Sequence, residues 1–163
     1  MAEYTLQPSP IRTKSTGLYS LVPGYDEGEW TPVLKFGGAN TGMTHSVGTP
    51  YGNYTQIGDL FFLTGVFILT AKGSSTGAAT ISGFRPVDVN SAFTLFNAVV
   101  QWGGMGANFI NVGVYIDDAG DVLNIYGLAA AGADSPLLVL DESDFLDTST
   151  LYFNVILRKR FNR

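Results

Sequence analysis

The chain has 163 residues, of which 45% are hydrophobic and only 14% charged, and its formal net charge is −5 at neutral pH. This composition suits one domain plus an arm, and it lacks the basic face that nucleic-acid phosphates require. The chain contains no cysteine, which excludes disulfides, thiolate metal sites and cysteine nucleophiles.

The first 28 residues predict an extended N-terminal arm. Pro8, Pro10 and Pro23 push the residues before them into extended geometry, and no helical or strand period persists. There is no basic start followed by an apolar run, so we expect no secretory signal and synthesis in a cytoplasm. A solvated linker needs no apolar residues. We therefore expect the arm to lie on another surface, either that of its own trimer or that of a larger assembly, the alternative being a loose terminus. The candidate docking residues are Leu18, Tyr19, Leu21, Val22 and Tyr25.

From Glu29 onward, alternating apolar residues and Gly-rich turns predict short strands and almost no helix. Asp141 and Ser143 are expected to cap one helical turn before the last strand. This pattern predicts an all-β domain over residues 29–163, a two-sheet sandwich of jelly-roll type. The predicted strands lie near residues 30–36, 43–47, 53–57, 60–70, 78–81, 92–102, 110–116, 122–128, 137–140 and 151–157.

Residues 60–70 carry bulky apolar side chains on both parities, which predicts a strand buried on both faces. The run is far shorter than the roughly 20 residues of a membrane span, and no membrane insertion is expected. One face should build the sandwich core, while the other lies under a connecting loop or against identical subunits. Each such side chain left exposed to water would lose a burial free energy of roughly 1.5–3 kcal/mol. We therefore expect copies to assemble, and the predicted interface is Phe61, Leu63, Phe67 and Leu69.

Four segments follow one another in a distinctive order. The second of them, Gly-Asn-Tyr-Thr-Gln-Ile-Gly-Asp, stands before the apolar strand. Their residues are 29–42, 52–59, 72–81 and 144–150. Together they resemble a domain common at the C-terminal ends of tailed-bacteriophage tail fibres and related virion appendages. The resemblance is good over residues 29–82, loose over 141–157, and only that of generic strands over 83–140.

This resemblance implies a homotrimeric β-sandwich on the virion surface that adheres to a host glycan or protein as a tail fibre or tail-tip protein. Family members usually follow a long trunk, whereas 28 residues precede the domain here. The alternative is therefore capsid decoration, or a head fibre docked by its arm. The expected location is the virion.

A glycan-degrading appendage is the hypothesis from a different class, since glycoside hydrolysis needs two carboxylates about 5–10 Å apart. The carboxylates available lie in a predicted hairpin turn and in a predicted capping loop, where Asp is favoured for local hydrogen bonds. His45 is the single histidine, and no Gly-x-Ser-x-Gly motif accompanies it. We expect no enzyme, no metal and no cofactor. These candidate carboxylates are Asp117, Asp118, Asp121, Asp141, Glu142, Asp144 and Asp147.

Sugar binding requires less than catalysis: an exposed aromatic ring and a few amide or carboxylate partners. Trp102, Asn108 and Tyr115 lie around the Gly-rich loop 103–106 and are the predicted receptor contacts. Trp102 also fits a core position, because it is the last of the alternate residues that form one apolar face of its strand.

Overall fold

A computed structural model of the protein describes residues 24–84, 93–116, 122–129 and 137–159, without the side chains of 93–97 and 159. It confirms the predicted all-β sandwich of two antiparallel sheets. Within these ranges no helix is long and apolar enough to cross a membrane. The strands are β1 (Tyr25–Trp30), β2 (Val33–Phe36), β3 (Thr44–His45), β4 (Tyr51–Ile57), β5 (Leu60–Ala71), β6 (Ala79–Ser82), β7 (Phe93–Met105), β8 (Phe109–Ile116), β9 (Leu123–Ala129), β10 (Leu138–Val139) and β11 (Phe145–Lys159).

The first sheet has the strand order β1-β4-β5-β11-β7, and β3 pairs with the end of β5. Its central strands β5 and β11 pair from Ile68 and Thr150 at one end to Leu60 and Arg158 at the other. Tyr25 pairs with Ile57 and so falls in the row of Leu60 and Arg158. The described chain therefore enters and leaves the first sheet at one end, which we call the proximal end.

The second sheet is built around β9. One edge of β9 pairs with β8, and its other edge pairs with β6 and β10 in succession, while β2 follows β6. A 3-10 turn, Glu142–Asp144, leads into β11 and is capped by Asp141, as predicted. Ring packing joins the sheets, for example between Phe36 and Phe145, whose centroids are 5.1 Å apart.

The core lies between the sheets and takes one parity of each strand. On β11 the alternation of apolar residues predicts four inward side chains, and all four are buried: Leu151, Phe153, Val155 and Leu157. On β5 the buried parity is Phe61, Leu63, Phe67 and Leu69, at most 4% exposed. The sequence predicts that these four residues form an oligomer interface, and that prediction is wrong. They fill the subunit's own core, so the outward parity of β5 is the one available to other copies.

Three further expectations change with the structure. Tyr25 belongs to β1, so the strands begin four residues before the boundary expected at Glu29. Val47, expected in a strand, is fully exposed in a turn. Ile110 begins the alternating apolar residues of the strand predicted over 110–116, yet it is 60% exposed because the register shifts between Phe109 and Asn111. The other arm residues, Leu18, Tyr19, Leu21 and Val22, lie outside the described residues.

Candidate binding surface

The outward side chains of the first sheet form two adjacent rows that are rich in tyrosine and amide groups. One row runs across four strands as Tyr51, Val66, Tyr152 and Gln101, and the next as Asn53, Thr64, Asn154 and Val99. Alternate residues of a strand share one face, so both rows point away from the core. We call Tyr51, Asn53, Thr64, Gln101, Tyr152 and Asn154 the tyrosine–amide surface.

A pair of glycines holds the backbone beneath this surface close to the core. Gly52 and Gly65 are direct partners on the inner parity of β4 and β5. A Cβ at Gly65 would stand 2.1 Å from the Phe153 ring, and one at Gly52 would stand 2.5 Å from Trp30 Nε1. Only residues without a side chain allow this approach, so the Trp30 and Phe153 rings support the sheet from inside.

The Trp30 indole also joins β4 to β5 by hydrogen bonds. Its Nε1–H donates to the carbonyl oxygens of Asn53 at 3.2 Å and Thr64 at 3.0 Å. Both acceptors belong to residues of the tyrosine–amide surface. A polar atom that is satisfied in this way fixes the backbone under those side chains, because breaking the bonds would leave the indole unpaired in the core.

The tyrosine–amide surface is open to solvent and carries no charged side chain. Tyr51 is 43% exposed and Tyr152 is 47% exposed. The Tyr51 hydroxyl donates to Asn53 Oδ1 at 2.9 Å, which orients one ring against one amide. Beyond the β4 end of the second row lies a charged residue, Glu29, which pairs with Asn53 from the edge strand β1.

An apolar groove lies at the proximal end of the same face. It encloses about 420 Å³ and is open to solvent. Phe62 and Ile156 are cross-strand partners and form its floor, since each belongs to the outward parity of its strand. The lining residues are Asp59, Leu60, Phe62, Ile156 and Arg158.

The structure does not bring the predicted receptor contacts into one platform. Trp102 pairs with the buried Leu151 and faces the core, where it packs partly buried. Tyr115 lies on the second sheet, points outward and has its ring 6.2 Å from that of Tyr126. Asn108 is exposed just before β8. Trp102 and Tyr115 thus have opposite orientations on different sheets, and the predicted platform is wrong.

The carboxylates of the capping loop are engaged with backbone amides. Glu142 Oε2 accepts from the Gly77 amide at 2.6 Å, and Asp147 Oδ1 accepts from the Lys72 amide at 2.8 Å. Hydrogen bonds from the Ser143 hydroxyl and amide lower the pKa of Asp141 below 3.8. These contacts fit the expected structural role, which joins the turn at 72–77 to the start of β11.

Asp144 completes this arrangement, because its Oδ2 accepts from the amide of Asp141 at 3.0 Å. Within the described ranges no three His, Cys, Asp or Glu side chains converge as metal ligands would. The three aspartates of the predicted hairpin turn, Asp117, Asp118 and Asp121, lie outside those ranges.

His45 is half-buried beside the core. Its ring centroid lies 6.2 Å from that of Phe67, and Nε2 has no hydrogen-bond partner. Burial lowers the pKa of His45 below 6.5, because removal from water disfavours the charged imidazolium. A neutral ring packed on an aromatic side chain is typical of a structural residue at the margin of the core.

Sequence reasoning missed the tyrosine–amide surface, although a signal for it exists. The triplet Tyr-x-Asn occurs in β4 as Tyr51-Gly52-Asn53 and again in β11 as Tyr152-Phe153-Asn154. In a strand the first and third residues of such a triplet share a face. The triplets come together only because β5 lies between them, which is a pairing that the sequence alone does not reveal.

Comparisons with known proteins give one structural likeness. No protein-family model matches the chain, and no curated protein matches it. A solved structure, the crystal structure of the Dettilon tailspike protein gp208, has a similar fold with a TM-score of 0.63 at 16% sequence identity. The likeness covers 83% of this chain and 24% of the tailspike chain. The fold of this chain is thus similar to that of a region that makes up about a quarter of the tailspike chain.

Proposed function

We propose that this chain is a structural surface protein of a tailed phage that attaches the particle to its host. The observation that carries the proposal is the fold shared with part of a tailspike over 83% of the chain. The four segments that resemble tail-fibre domains support it independently, because they rest on residues rather than on the fold. We expect attachment without catalysis, since the described loop carboxylates bind backbone amides.

We further propose that the protein acts as a homotrimer. The outward parity of β5 supports assembly, because Phe62 is 37% exposed and forms an apolar groove with Ile156. Apolar surface of this kind on a protein without a partner is a liability. Residues 1–23 precede the proximal end and are the segment proposed to dock onto other virion proteins.

An adsorption assay tests the attachment function. Purified protein at saturating concentration is expected to block adsorption of the parent phage to its host cells. Unfolded protein from the same preparation is the control. Normal adsorption in the presence of the folded protein would contradict the proposal.

Two further measurements separate the alternatives. Electron microscopy of particles lacking the protein is expected to show missing density at the tail, whereas missing density on the capsid would indicate decoration or a head fibre. Incubation with host polysaccharide is expected to release no reducing ends. Their release would identify a glycan-degrading appendage instead.

A further inference from the structure

We propose that the tyrosine–amide surface binds a neutral oligosaccharide. This inference rests on the proposed attachment function and names the class of ligand and the face that contacts it. The proposed ligand contact lies on the outer face of the first sheet and not around Trp102, where the sequence predicts it. The surface comprises Tyr51, Asn53, Thr64, Gln101, Tyr152 and Asn154.

The side chains have the chemistry that a sugar requires. A pyranose presents C–H groups on its faces and hydroxyls around its rim. Tyr51 and Tyr152 offer exposed rings with a polar tip. The amides of Asn53, Asn154 and Gln101 each donate and accept hydrogen bonds, so they can serve hydroxyls in either direction.

The spacing allows both rings to contact one oligosaccharide. Tyr51 and Tyr152 pair with Val66 from its two sides, which places their backbones two strand spacings apart, roughly 10 Å. Asn53 and Asn154 repeat this arrangement around Thr64 in the adjacent row. A ligand lying across β4, β5 and β11 would therefore meet a ring and an amide at each side.

The backbone below the surface is held in place before any ligand arrives. Trp30 bonds the carbonyl oxygens of Asn53 and Thr64, and the Phe153 ring fills the space beneath Gly65. Binding groups on rigid strands lose little conformational entropy when a ligand binds. This matters for a weakly bound ligand such as a sugar.

The charge distribution selects a neutral ligand over an acidic one. The two rows contain no cationic side chain, and Glu27 and Glu29 lie on the neighbouring edge strand β1. Arg158 lies in the row of Leu60, at the proximal end of the face. An anionic glycan would thus find no counter-charge in the rows and would meet two carboxylates at their edge.

A second copy of the chain fits this surface less well than it fits the groove. Burying the amides of Asn53, Asn154 and Gln101 against protein would require a partner for each polar atom. The groove presents Phe62 and Ile156, which need none. The two parts of the face thus suit different occupants.

The test measures binding of the purified full chain to oligosaccharides from host envelope polysaccharide, separated into neutral and acidic fractions. Wild type is expected to bind the neutral fraction. The variant Tyr51→Ala/Tyr152→Ala is expected to lose at least about tenfold in affinity. Tyr115→Ala is the matched control, because it removes an equally exposed tyrosine from the other sheet, and it should bind as wild type does. Thermal unfolding establishes that each variant is folded.

Several results would overturn the inference. These are no binding to the neutral fraction, binding to the acidic fraction alone, an equal loss in Tyr115→Ala, or a lower oligomer mass in the double variant. The adsorption assay separates this inference from the attachment function. If wild type and the double variant block adsorption equally, attachment stands and the neutral-glycan site is wrong. If wild type does not block adsorption, the attachment function itself fails.

Discussion

Gly65 lies in the middle of the apolar run 60–70, where a glycine would weaken a helix. In the structure it has a second role. It is the point at which the sheet backbone comes closest to the core, because the Phe153 ring occupies the position that a Cβ would take. Phe153 in turn stacks on Phe67 with centroids 5.8 Å apart, so the ring has little room to move.

Gly65→Ala is therefore expected to destabilise the protein by about 1–3 kcal/mol, because the new methyl group overpacks the core. Urea unfolding followed by fluorescence measures this. In Gly65→Ala/Phe153→Leu the smaller side chain makes room for the methyl group. The double variant should be more stable than the sum of the single costs predicts, by about 0.5 kcal/mol or more. If the losses in free energy of unfolding of the two single variants simply add up in the double variant, the methyl group added at position 65 does not clash with the Phe153 ring.

His45 predicts a pH dependence of stability. Its folded pKa is lowered from 6.5 by burial, so the unfolded chain binds the proton more readily. The free energy of unfolding is thus expected to fall as the pH drops below about 6.5. Urea unfolding at pH 7.5 and 5.5 measures the loss, and His45→Gln should show a smaller one. An unchanged loss in the variant would assign it to other groups.

At the scale of elements, strands with a strong alternation could be predicted from the sequence and those governed by pairing could not. The inward parity of β11 was predicted correctly because its apolar residues alternate without interruption. β5 is apolar on both parities, and the sequence offers no local reason to prefer one. The structure decides through Phe153 and Leu151 of the neighbouring strand, whose inward parity fixes that of β5.

The 3-10 turn before β11 was predicted from its capping residue. Asp141→Ala is expected to lower the free energy of unfolding by about 0.5–1 kcal/mol, at the low end for a cap because the turn is short and partly exposed. Because the pKa of Asp141 is lowered, this contribution is present above pH 3.8 and declines as the pH falls further.

Urea unfolding at pH 7 and pH 3 measures this difference, which should shrink at the lower pH. Glu29→Ala, on an exposed edge-strand position, is the control and should change little at either pH. A full-sized difference between Asp141→Ala and wild type at pH 3 would contradict a role for the ionised cap.

At the scale of the whole molecule, the outward face of β5 replaces the inward one as the surface proposed for assembly. The sequence shows that residues 60–70 carry more apolar surface than one core needs, and the outward parity is indeed left exposed at Phe62. Which parity faces outward, and which residues of β4 and β11 lie beside it, depends on pairings between distant segments. For the same reason the sequence alone does not show that the two Tyr-x-Asn triplets form one surface.

Phe62→Asp and Ile156→Asp are each expected to lower the oligomer mass measured by light scattering, because burying a carboxylate between copies costs desolvation free energy that an ion pair with Arg158 does not fully offset. Val47→Asp is the control, since Val47 is fully exposed in a turn away from the groove. Its mass should equal that of wild type. If all three variants have the wild-type mass, copies meet elsewhere.

Because the described chain enters and leaves the first sheet in the row of Tyr25 and Arg158, the domain has a built-in polarity for attachment. A sensor-chip tag inserted at Gly24 or at Lys159, where the described ranges begin and end, would hold the domain by the same side, with the groove next to the support and the tyrosine rows farther along the strands. Immobilisation at these two positions should therefore give the same orientation. A circular permutant that joins Gly24 to Lys159 by a short linker should keep the fold.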